Sequence, residues 1–497
     1  MNIAKNLDWA RTYFPDKPAL IFEGKRWSYL QLDTDVNRMA NGLRELGVGK
    51  GDRVALFLPN IPEFVIGYFA IQKIGAIAVS VNAMLKSEEV KYVINDAEAS
   101  VIVTTALLRQ EIPADALPSV KHIIVAEGEA GNDLSFGKLL SKGSAQCRCL
   151  ELNIHDPAAI LYTSGTTGFP KGAVLTQYNI GSNSRSAANH SGVRPEDCLQ
   201  LFLPLFHCFG QNYILNGGIG RCATIALHRR FEPETVLKAI QAERVSMFFA
   251  VPTVYIYLLN MDTSRYDLAS LRYCFTAAAN MPRETALAWK EKFDLLVHEG
   301  YGLTECSPFA SYNHDFRHKF GSIGTPIENV DMKIADADDN ELPAGEMGEI
   351  IIRGPNVMQG YWRKPDATAA AIQNGWFRSG DIGTTDEEGY FFITDRVKGM
   401  INVAGFNVYP NEVEQVIYKH PAVQEVAVYG VSDAVKGEAV HAAVVLKKNM
   451  DPTAEEIIGF CRDNMAVYRI PRKVEFVKEL PKSPTGKILK RVLRGDS

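Results

Sequence analysis

A loop rich in hydroxyl groups and glycines is the first feature of this chain that could do chemistry. It lies in residues 161–176, which read LYTSGTTGFPKGAVLT. Its hydroxyl donors are Thr163, Ser164, Thr166 and Thr167, its glycines are Gly165, Gly168 and Gly172, and its cation is Lys171. Glycines let backbone N–H groups approach phosphate oxygens, and the lysine adds a positive charge. This composition predicts a loop that wraps a polyphosphate such as that of ATP.

The spacing within this loop differs from that of the common phosphate-binding loop. The pattern G-x-x-x-x-G-K-[ST] fails here, and Pro170 biases Phe169 towards an extended conformation rather than a helix. Apolar runs flank the loop at 158–162 and 173–175, so we expect it to be the turn between two strands. A flexible polar linker is the alternative interpretation, because Ser, Thr and Gly are ordinary loop residues.

Five further segments carry polar and charged side chains that fit the same chemistry. They are FLPLFHCFG (202–210), YGLTECSP (301–308), RSGDIG (378–383), DRVKGMINVAGFNVYPNEVE (395–414) and PKSPTGKILKR (481–491). Together they resemble the adenylate-forming superfamily, which includes acyl-CoA synthetases, luciferases and the adenylation domains of peptide synthetases. The resemblance spans nearly the whole chain, and the segment 405–414 and the tail PTGK look most similar to bacterial fatty-acid CoA ligases.

The resemblance implies a reaction in two steps. The acid and ATP give an acyl-adenylate and pyrophosphate, and the thiol of CoA then displaces AMP to give acyl-CoA. Because the first step brings two anions together, electrostatic stabilisation must dominate its catalysis. We expect ATP and CoA as co-substrates, Mg²⁺ as cofactor, and a medium or long-chain fatty acid as the acid. The alternatives are an aryl acid of the cinnamate or benzoate type, or an acyl-AMP ligase that delivers to a carrier protein.

The resemblance also assigns the phosphate and metal contacts. It gives the β- and γ-phosphates to residues 163–172. It implies that Tyr301 lies against the adenine, that Thr304 donates a hydrogen bond to a phosphate oxygen, and that Glu305 binds Mg²⁺. One carboxylate suffices because Mg²⁺ keeps waters and takes further oxygens from the substrate phosphates. A surface charge at the end of a strand is the alternative interpretation of Glu305.

Ribose and adenine contacts are assigned in the same way. Asp381 would accept hydrogen bonds from both ribose hydroxyls, and Arg396 offers planar donors to the ribose and the α-phosphate. A turn residue is the alternative for Asp381, because Gly380 precedes it. The segment TAAAN (276–280) matches the adenine-pocket strand, where relatives often carry Gly-Gly-Ala-Pro. The small or polar residues predicted to contact the nucleotide here are Ala278, Ala279, Asn280 and Gly302.

Lys487 is the predicted catalytic residue of adenylation. It lies in the loop PKSPTGK. The resemblance implies that this long cation bridges the carboxylate and the α-phosphate as charge shifts between them. His207 lies among phenylalanines, so a packed core histidine is one interpretation, whereas the family position puts it beside the substrate carboxylate as a gate or neutral donor. The candidate residues for the acid pocket, mostly apolar and small, are Gln211, Asn212, Leu215, Val251, Pro252, Ala278 and Gly302.

The elements that must position these residues indicate an α/β fold. Apolar strands alternate with amphipathic stretches through about the first 390 residues, and short strands with turn residues at 326–354 predict a small antiparallel sheet. The resemblance implies a large N-terminal domain over 1–398, with two α/β sheets and this antiparallel β subdomain. A small mobile α+β C-terminal domain would occupy 399–497, with the hinge at Lys398. Gly399 replaces the polar residue of most relatives and would loosen this hinge.

Two poses of the C-terminal domain follow from the placement of its functional residues. Lys487 and Gly405 both belong to this domain, and both must act at the same carbonyl. The domain is therefore expected to swing between an adenylating pose that inserts Lys487 and a thioester-forming pose that presents the Gly405 loop, as the family does. Gly405 has no side chain and would let the pantetheine arm of CoA pass.

The composition of the chain limits the class of protein to which it can belong. The 497 residues, 46% hydrophobic and 22% charged, predict a globular protein of two or more domains, and a net charge of −5 argues against a general nucleic-acid binder. Residues 1–14 lack an apolar core, and polar residues interrupt 62–81, so we expect neither a secretory signal nor a membrane span. Eight scattered cysteines predict free thiols in the cytoplasm. His314 and His318 are expected at the surface without a metal role, and a homodimer is expected only by analogy.

Overall fold

The computed structural model describes residues 1–163, 170–396, 399–403, 406–433, 437–483 and 486–495. Helices and strands alternate in its first half, and strands dominate between residues 331 and 446. A search of the described residues finds no helix that is long and apolar enough to cross a membrane.

The first 176 residues alternate between helices and strands. The helices are α1 (Lys5–Tyr13), α2 (Tyr29–Glu45), α3 (Pro62–Ile74), α4 (Ser87–Ala97), α5 (Ala106–Arg109) and α6 (Phe136–Lys142). The strands are β1 (Pro18–Phe22), β2 (Lys25–Ser28), β3 (Arg53–Leu56), β4 (Ile77–Ser80), β5 (Val101–Thr104), β6 (His122–Val125), β7 (Leu134–Ser135), β8 (Pro157–Thr163) and β9 (Lys171–Thr176).

Residues 177–326 continue this alternation. Their helices are α7 (Gln177–His190), α8 (Gly217–Gly220), α9 (Pro233–Glu243), α10 (Pro252–Leu259) and α11 (Arg283–Phe293). A π-helix, Phe209–Asn216, precedes α8, and a 3₁₀ turn covers Thr304–Cys306. Their strands are β10 (Cys198–Leu201), β11 (Thr224–Leu227), β12 (Met247–Ala250), β13 (Tyr273–Thr276), β14 (Val297–Gly302), β15 (Phe309–Tyr312) and β16 (Thr325–Pro326).

Strands are more frequent in the last third. Before residue 399 they are β17 (Asp331–Ala335), β18 (Gly348–Arg353), β19 (Gly360–Tyr361), β20 (Ile372–Gln373), β21 (Trp376–Thr385) and β22 (Phe391–Arg396), with helix α12 (Pro365–Ala371). After it come β23 (Ile401–Val403), β24 (Phe406–Val408), β25 (Val423–Asp433), β26 (Gly437–Leu446) and β27 (Lys473–Phe476). The C-terminal helices are α13 (Pro410–Ile417), α14 (Ala454–Asn464) and α15 (Lys490–Arg494).

Two large, mainly parallel sheets form the N-terminal part. The N-terminal sheet has the order β19-β9-β8-β4-β3-β5-β6-β7, and the central sheet has the order β16-β15-β14-β13-β12-β10-β11-β1-β2. Strands such as β4 (IAVS) and β12 (MFFA) are buried along their whole length, as parallel strands covered by helices on both faces usually are. Strands β8 and β9 pair antiparallel, with Thr163 opposite Lys171. The predicted polyphosphate loop, residues 163–172 (the phosphate-type loop), therefore connects two paired strands, as expected.

Helix α3 shows how the core connects these sheets. It begins with Pro62 and ends before Gly75, whose φ of 75° suits glycine at a helix C-terminus. All but one of its residues are buried, so its sequence is apolar around the whole circumference. Tyr68 accepts a hydrogen bond from Asn216 of the π-helix at 2.9 Å, and Gln72 donates to Ala158 O in β8 at 2.9 Å. The helix therefore contacts both the N-terminal sheet and the π-helix.

Two smaller sheets complete the fold. The antiparallel sheet has the order β17-β18-β21-β20, with β22 beside β21, and the C-terminal sheet has the order β24-β23-β26-β25, with β27 beside β26. The C-terminal sheet has its own hydrophobic core with α13 and α14, built around residues such as Val413, Val428 and Ile457. The expected α/β fold, with two large sheets, a small antiparallel sheet and a separate C-terminal sheet, is therefore confirmed. The hinge residue Lys398 lies outside the described residues.

A stack of histidine and tyrosine rings lies beside α7, β14 and β15. His190 stacks on Tyr312 at 5.2 Å and contacts the ring of His314 at 4.5 Å, while His298 contacts the ring of His318 at 5.8 Å. Both His314 and His318 are half-buried. The pair expected at the surface is therefore only partly exposed, because neighbouring aromatic rings cover part of both imidazoles.

Candidate active site

Most candidate residues follow the carboxyl ends of neighbouring strands in the central sheet. The His207 segment follows β10, Val251 follows β12, the TAAAN segment ends β13, and Thr304 and Glu305 follow β14. Strands β10, β12, β13 and β14 are parallel neighbours, so these segments meet at one edge of the sheet. Such an edge is where open α/β sheets usually bind ligands.

Glu305 lies beside the two ends of the phosphate-type loop. Its side chain is only 8% exposed, so it is not the surface charge of the alternative interpretation. Thr163 donates a hydrogen bond to Glu305 Oε1 at 3.3 Å, and Tyr361 donates to the same oxygen at 2.9 Å. The ammonium of Lys171 lies 4.6 Å from the centre of the Tyr361 ring. The structure thus brings together a carboxylate, a hydroxyl and a cation at the ends of the loop.

The candidate ribose residues meet at strands β21 and β22. Asp381 lies within β21 rather than in a turn, so the turn interpretation is wrong. The backbones of Asp381 and Arg396 are directly opposite each other in the antiparallel pair. Tyr301 donates from its hydroxyl to Asp381 Oδ2 at 2.7 Å, and burial together with this carboxylate raises the pKa of Tyr301. The two residues are therefore coupled by a hydrogen bond between β14 and β21.

The segment after β13 has an unusual backbone. Ala278 has a φ of 72°, a conformation that is uncommon for residues other than glycine. Ala278 and Ala279 are exposed and Asn280 is half-buried, so this segment offers accessible small residues. Glu299 fixes its far end, because Glu299 Oε1 accepts a hydrogen bond from Met281 N at 3.1 Å. Burial raises the pKa of Glu299 to about 8.

Gly302 occupies a position where no side chain fits. A Cβ at this residue would collide with the carbonyl oxygen of Pro308 across the β14–β15 pair. Thr304 follows two residues later, and its hydroxyl lies 3.6 Å from Cys208 Sγ in the His207 segment. The absence of a side chain at Gly302 thus lets the segment containing Thr304 and Glu305 fold back close to His207.

The side chain of His207 is half-buried, and Lys487 of the C-terminal part lies near it. Its Nδ1 accepts a hydrogen bond from Phe209 N at 3.2 Å, so the ring proton of the neutral form lies on Nε2. Burial, and to a smaller extent the positive charge of Lys487, lowers the pKa of His207 to about 4. The imidazole is therefore neutral at pH 7, and Lys487 lies close enough to affect its titration.

The hairpin that carries Lys487 packs against the N-terminal part. Ser483 N donates to Lys487 O at 2.7 Å, and Lys487 N donates to Ser483 Oγ at 3.1 Å, which closes the hairpin. A Cβ at Gly486 would lie 2.6 Å from Val251 Cγ2, so the hairpin touches the segment that follows β12. The structure therefore places Lys487 at the carboxyl edge of the central sheet.

The described part of the chain omits several candidate residues. Ser164, Gly165, Thr166, Thr167 and Gly168 of the phosphate-type loop, Lys398 and Gly405 lie outside the described residues. The side chain of Arg396 is also outside the described part, although its backbone belongs to β22.

Aromatic rings occupy the region behind His207. Phe209 and Tyr213 of the π-helix stack at 5.9 Å, and Tyr213 meets Phe275 and Phe309 edge-on at 5.2 and 4.8 Å. The predicted pocket residues Gln211, Asn212 and Leu215 are fully buried, and Gln211 donates to Ser80 Oγ at 2.6 Å. These rings are bulkier than the small residues that the sequence analysis named.

Tyr361 and Glu299 are functional candidates that the sequence analysis missed. Tyr361 contacts Glu305, which is distant in sequence. Glu299 contacts Met281 N, which belongs to the segment after β13. Glu299 stands two residues before the YGLTE motif, which is the only signal that could have drawn attention to it. Tyr361 belongs to none of the motifs.

Comparison with known proteins places the chain in a family. The AMP-binding enzyme model matches residues 7–362, and the model of the AMP-binding enzyme C-terminal domain matches residues 412–487. The chain is 37% identical over 517 residues to the long-chain-fatty-acid–CoA ligase of Bacillus subtilis (strain 168), with 97% of this chain and 92% of the relative covered. It is 35% identical over 483 residues to the feruloyl-CoA synthase of Amycolatopsis sp, with 97% and 96% covered.

A solved structure with a similar fold carries an adenylate. The anthranilate CoA ligase AuaEII in complex with anthranoyl-AMP gives a TM-score of 0.94 at 31% identity, covering 100% of this chain and 97% of that chain. The expected resemblance to adenylate-forming enzymes is therefore confirmed. Because the first family model covers most of the chain and the relatives align over nearly its whole length, the chain belongs to the AMP-binding enzyme family.

Proposed function

We propose that this chain is an ATP-dependent acyl-CoA synthetase that converts a hydrophobic carboxylic acid, ATP and CoA into acyl-CoA, AMP and pyrophosphate. The observation that carries the proposal is the placement of Lys487. Its hairpin contacts Val251, and its charge acts on His207 at the edge that also presents Glu305. A cation from the C-terminal part beside a neutral histidine and a buried carboxylate suits the joining of a carboxylate to a phosphate.

In the first step, the carboxylate of the acid attacks the α-phosphate of ATP. Lys487 would bridge the carboxylate and the α-phosphate and offset the charge that builds up between them. His207 would donate from Nε2 to the carboxylate while remaining neutral, because its pKa of about 4 keeps it unprotonated at pH 7. A neutral donor does not compete with the lysine for the anion.

The nucleotide would lie between the phosphate-type loop and the β21–β22 pair. We assign the β- and γ-phosphates to residues 163–172 and Thr304, the ribose to Asp381 and Arg396, and the adenine to Tyr301 and the exposed segment 278–280. The hydrogen bond from Tyr301 to Asp381 would hold the ribose-binding carboxylate in place. Gly302 would leave room for the ligand beside Tyr301.

Glu305 is the residue that would hold Mg²⁺. A single buried carboxylate beside a phosphate-binding loop fits this ion, since Mg²⁺ takes most of its ligands from water and phosphate oxygens. When bound, the ion would neutralise charge on the leaving pyrophosphate. Thr163 and Tyr361 both donate to one oxygen of Glu305 and would fix its orientation towards the phosphates.

Thioester formation would require a second arrangement of the domains. We propose that residues 1–398 and 399–497 are the two moving units, that Lys398 is the hinge, and that the Gly405 loop admits CoA after Lys487 withdraws. The separate hydrophobic core of the C-terminal sheet supports movement as a unit, because its packing does not depend on the N-terminal part.

We favour a medium or long-chain fatty acid as the substrate. The long-chain-fatty-acid–CoA ligase relative at 37% identity supports this choice. An aryl acid is the second candidate, and the ring cluster of Phe209, Tyr213, Phe275 and Phe309 favours it, because edge-on packing suits an additional aromatic ring. The feruloyl-CoA synthase and anthranilate ligase relatives are consistent with this alternative.

Mass spectrometry after incubation with Mg-ATP, CoA and a mixed panel of fatty, aryl and dicarboxylic acids tests the proposal. One dominant acyl-CoA would establish both the reaction and the acid class. Acyl-AMP without thioester would instead favour delivery to a carrier protein. Failure of every acid to give either product would contradict the proposal.

A further inference from the structure

Residues 360–364 form a strap across the strand that leaves the phosphate-type loop. Strand β19 pairs antiparallel with β9, with Tyr361 opposite Ala173, and Trp362 N donates to Gly172 O at 2.7 Å. The strap therefore runs directly beside Lys171, the cation of the loop.

The outer side of the strap is anchored on helix α4. Trp362 Nε1 donates to Asp96 O at 3.1 Å, and Lys364 Nζ lies 3.1 Å from Asp96 Oδ1. Tyr162 of β8 donates to the other carboxylate oxygen of Asp96 at 2.7 Å. One residue of α4 thus ties the strap to the strand that enters the phosphate-type loop, which fixes the backbone that carries Tyr361.

On the inner side of the strap, Tyr361 contacts Glu305, the proposed Mg²⁺ ligand. Its hydroxyl donates to Glu305 Oε1 at 2.9 Å, and its ring lies 4.6 Å from Lys171 Nζ. A carboxylate oxygen can only accept this hydrogen bond, so the Tyr361 hydroxyl is the donor. Among the described residues, both hydroxyl contacts of Glu305 go to Oε1, which leaves its second oxygen for a cation.

We propose that Tyr361 is a positioning residue that orients Glu305 for Mg²⁺ and holds Lys171 beside the phosphates. This inference rests on the proposed function, in which Glu305 binds the ion. A hydroxyl that holds one oxygen of a carboxylate restricts its rotation before the ion binds. Binding of the ion then costs less conformational entropy. The ring keeps the lysine ammonium near the loop through a cation–π contact.

Binding measurements on Tyr361→Phe separate this role from packing, because the change removes the hydroxyl and keeps the ring. Titration calorimetry should show binding of Mg-ATP weakened by about 10-fold, whereas binding of ATP in EDTA should stay within about twofold of the parent protein. Tyr361→Leu removes the ring as well, so binding of metal-free ATP should weaken too. Thermal unfolding without ligand checks that both variants fold.

Tyr390→Phe is the matched control. The Tyr390 ring also carries a lysine, with Lys319 Nζ 4.5 Å from its centre, and its hydroxyl donates to Arg317 O at 2.6 Å, away from Glu305. Neither form of ATP should bind this control differently from the parent protein. Equal weakening of both forms by Tyr361→Phe, or no weakening of either, would overturn the inference. If the parent protein itself bound ATP equally with and without Mg²⁺, the metal role of Glu305 would fail instead.

Discussion

At the scale of single residues, the site depends on a few charged groups whose protonation is set by burial. Glu299, with a pKa raised to about 8, and His207, with a pKa lowered to about 4, both favour their neutral forms at pH 7. Lys487 therefore lies near a neutral imidazole at the carboxyl edge of the central sheet. Neither Lys487 nor Glu305, the proposed Mg²⁺ ligand, then meets a competing positive charge from His207.

Lys487→Ala should lower the rate of adenylation by about 100- to 1,000-fold, because it removes a charge that acts mainly in the transition state. Binding of ATP should hardly change, because the phosphate-type loop lies elsewhere. Acid-dependent pyrophosphate exchange measures the first quantity and calorimetry the second. Lys478→Ala, at an exposed position in the same tail, should behave like the parent protein. Near-normal pyrophosphate exchange in the Lys487 variant would mean that another group bridges the two anions.

Ala278→Gly should stabilise the N-terminal part by about 1 kcal/mol, because alanine at positive φ is strained and glycine is not. Ala279→Gly is the matched control. Ala279 is also exposed but is not among the residues with positive φ, so glycine there should destabilise the protein by a similar amount. Urea unfolding of the two variants compares them. Midpoints that shift in the same direction would contradict the strain at Ala278.

At the scale of elements, local sequence signals predicted strands and loops but not their long-range partners. Strand β8, the phosphate-type loop and β9 are contiguous, so hydrophobic runs and loop residues sufficed to predict them. The Tyr361 contact with Glu305 and the pairing of Asp381 with Arg396 depend on sheet order and register, which no local pattern specifies. The bulk of the ring cluster was missed because the π-helix turns Phe209 and Tyr213 towards the same neighbours.

The histidine stack predicts loss of stability in acid. Burial lowers the pKa of His190, His298 and His318, and lowers that of His314 to about 4. Unfolded histidines titrate near about 6.5, so stability is fully present above this pH and is lost as the pH falls from there towards the folded values. Urea unfolding at about pH 7.5 and about pH 5 should show the loss, and His314→Gln should reduce it. An unchanged pH dependence in the variant would exclude His314 as a source.

Tyr213→Ala tests whether the acid tail lies against the π-helix. The change should cost about 3–5 kcal/mol of stability and open space beside Phe275 and Phe309. If the tail lies there, kcat/KM should shift towards longer or bulkier acids. Tyr255→Ala removes an equally buried ring that packs on Trp289 and should leave the order of preference unchanged. The same order of acids in both variants would place the tail elsewhere.

At the scale of the whole molecule, the two proposed steps require the Lys487 hairpin to leave its contact with Val251. A Cβ at Gly486 would lie 3.6 Å from Val251 Cβ, within the range of about 3.5–4.5 Å that a disulfide spans. The double variant Val251→Cys with Gly486→Cys should therefore lock the adenylating pose when oxidised. The positive φ of Gly486 adds some strain to this lock.

Comparison of the oxidised and reduced forms of this variant tests the swing. The oxidised form should still make acyl-AMP, because Lys487 stays at the carboxyl edge of the central sheet. It should lose nearly all acyl-CoA formation, since the Gly405 loop could not then reach the carbonyl. Dithiothreitol should restore the thioester step, and Val251→Cys alone should not respond to oxidation, because the native cysteines are buried or half-buried. Thioester formation at equal rates in both forms would show that CoA enters while the hairpin remains docked, and the two-pose mechanism would have to be abandoned.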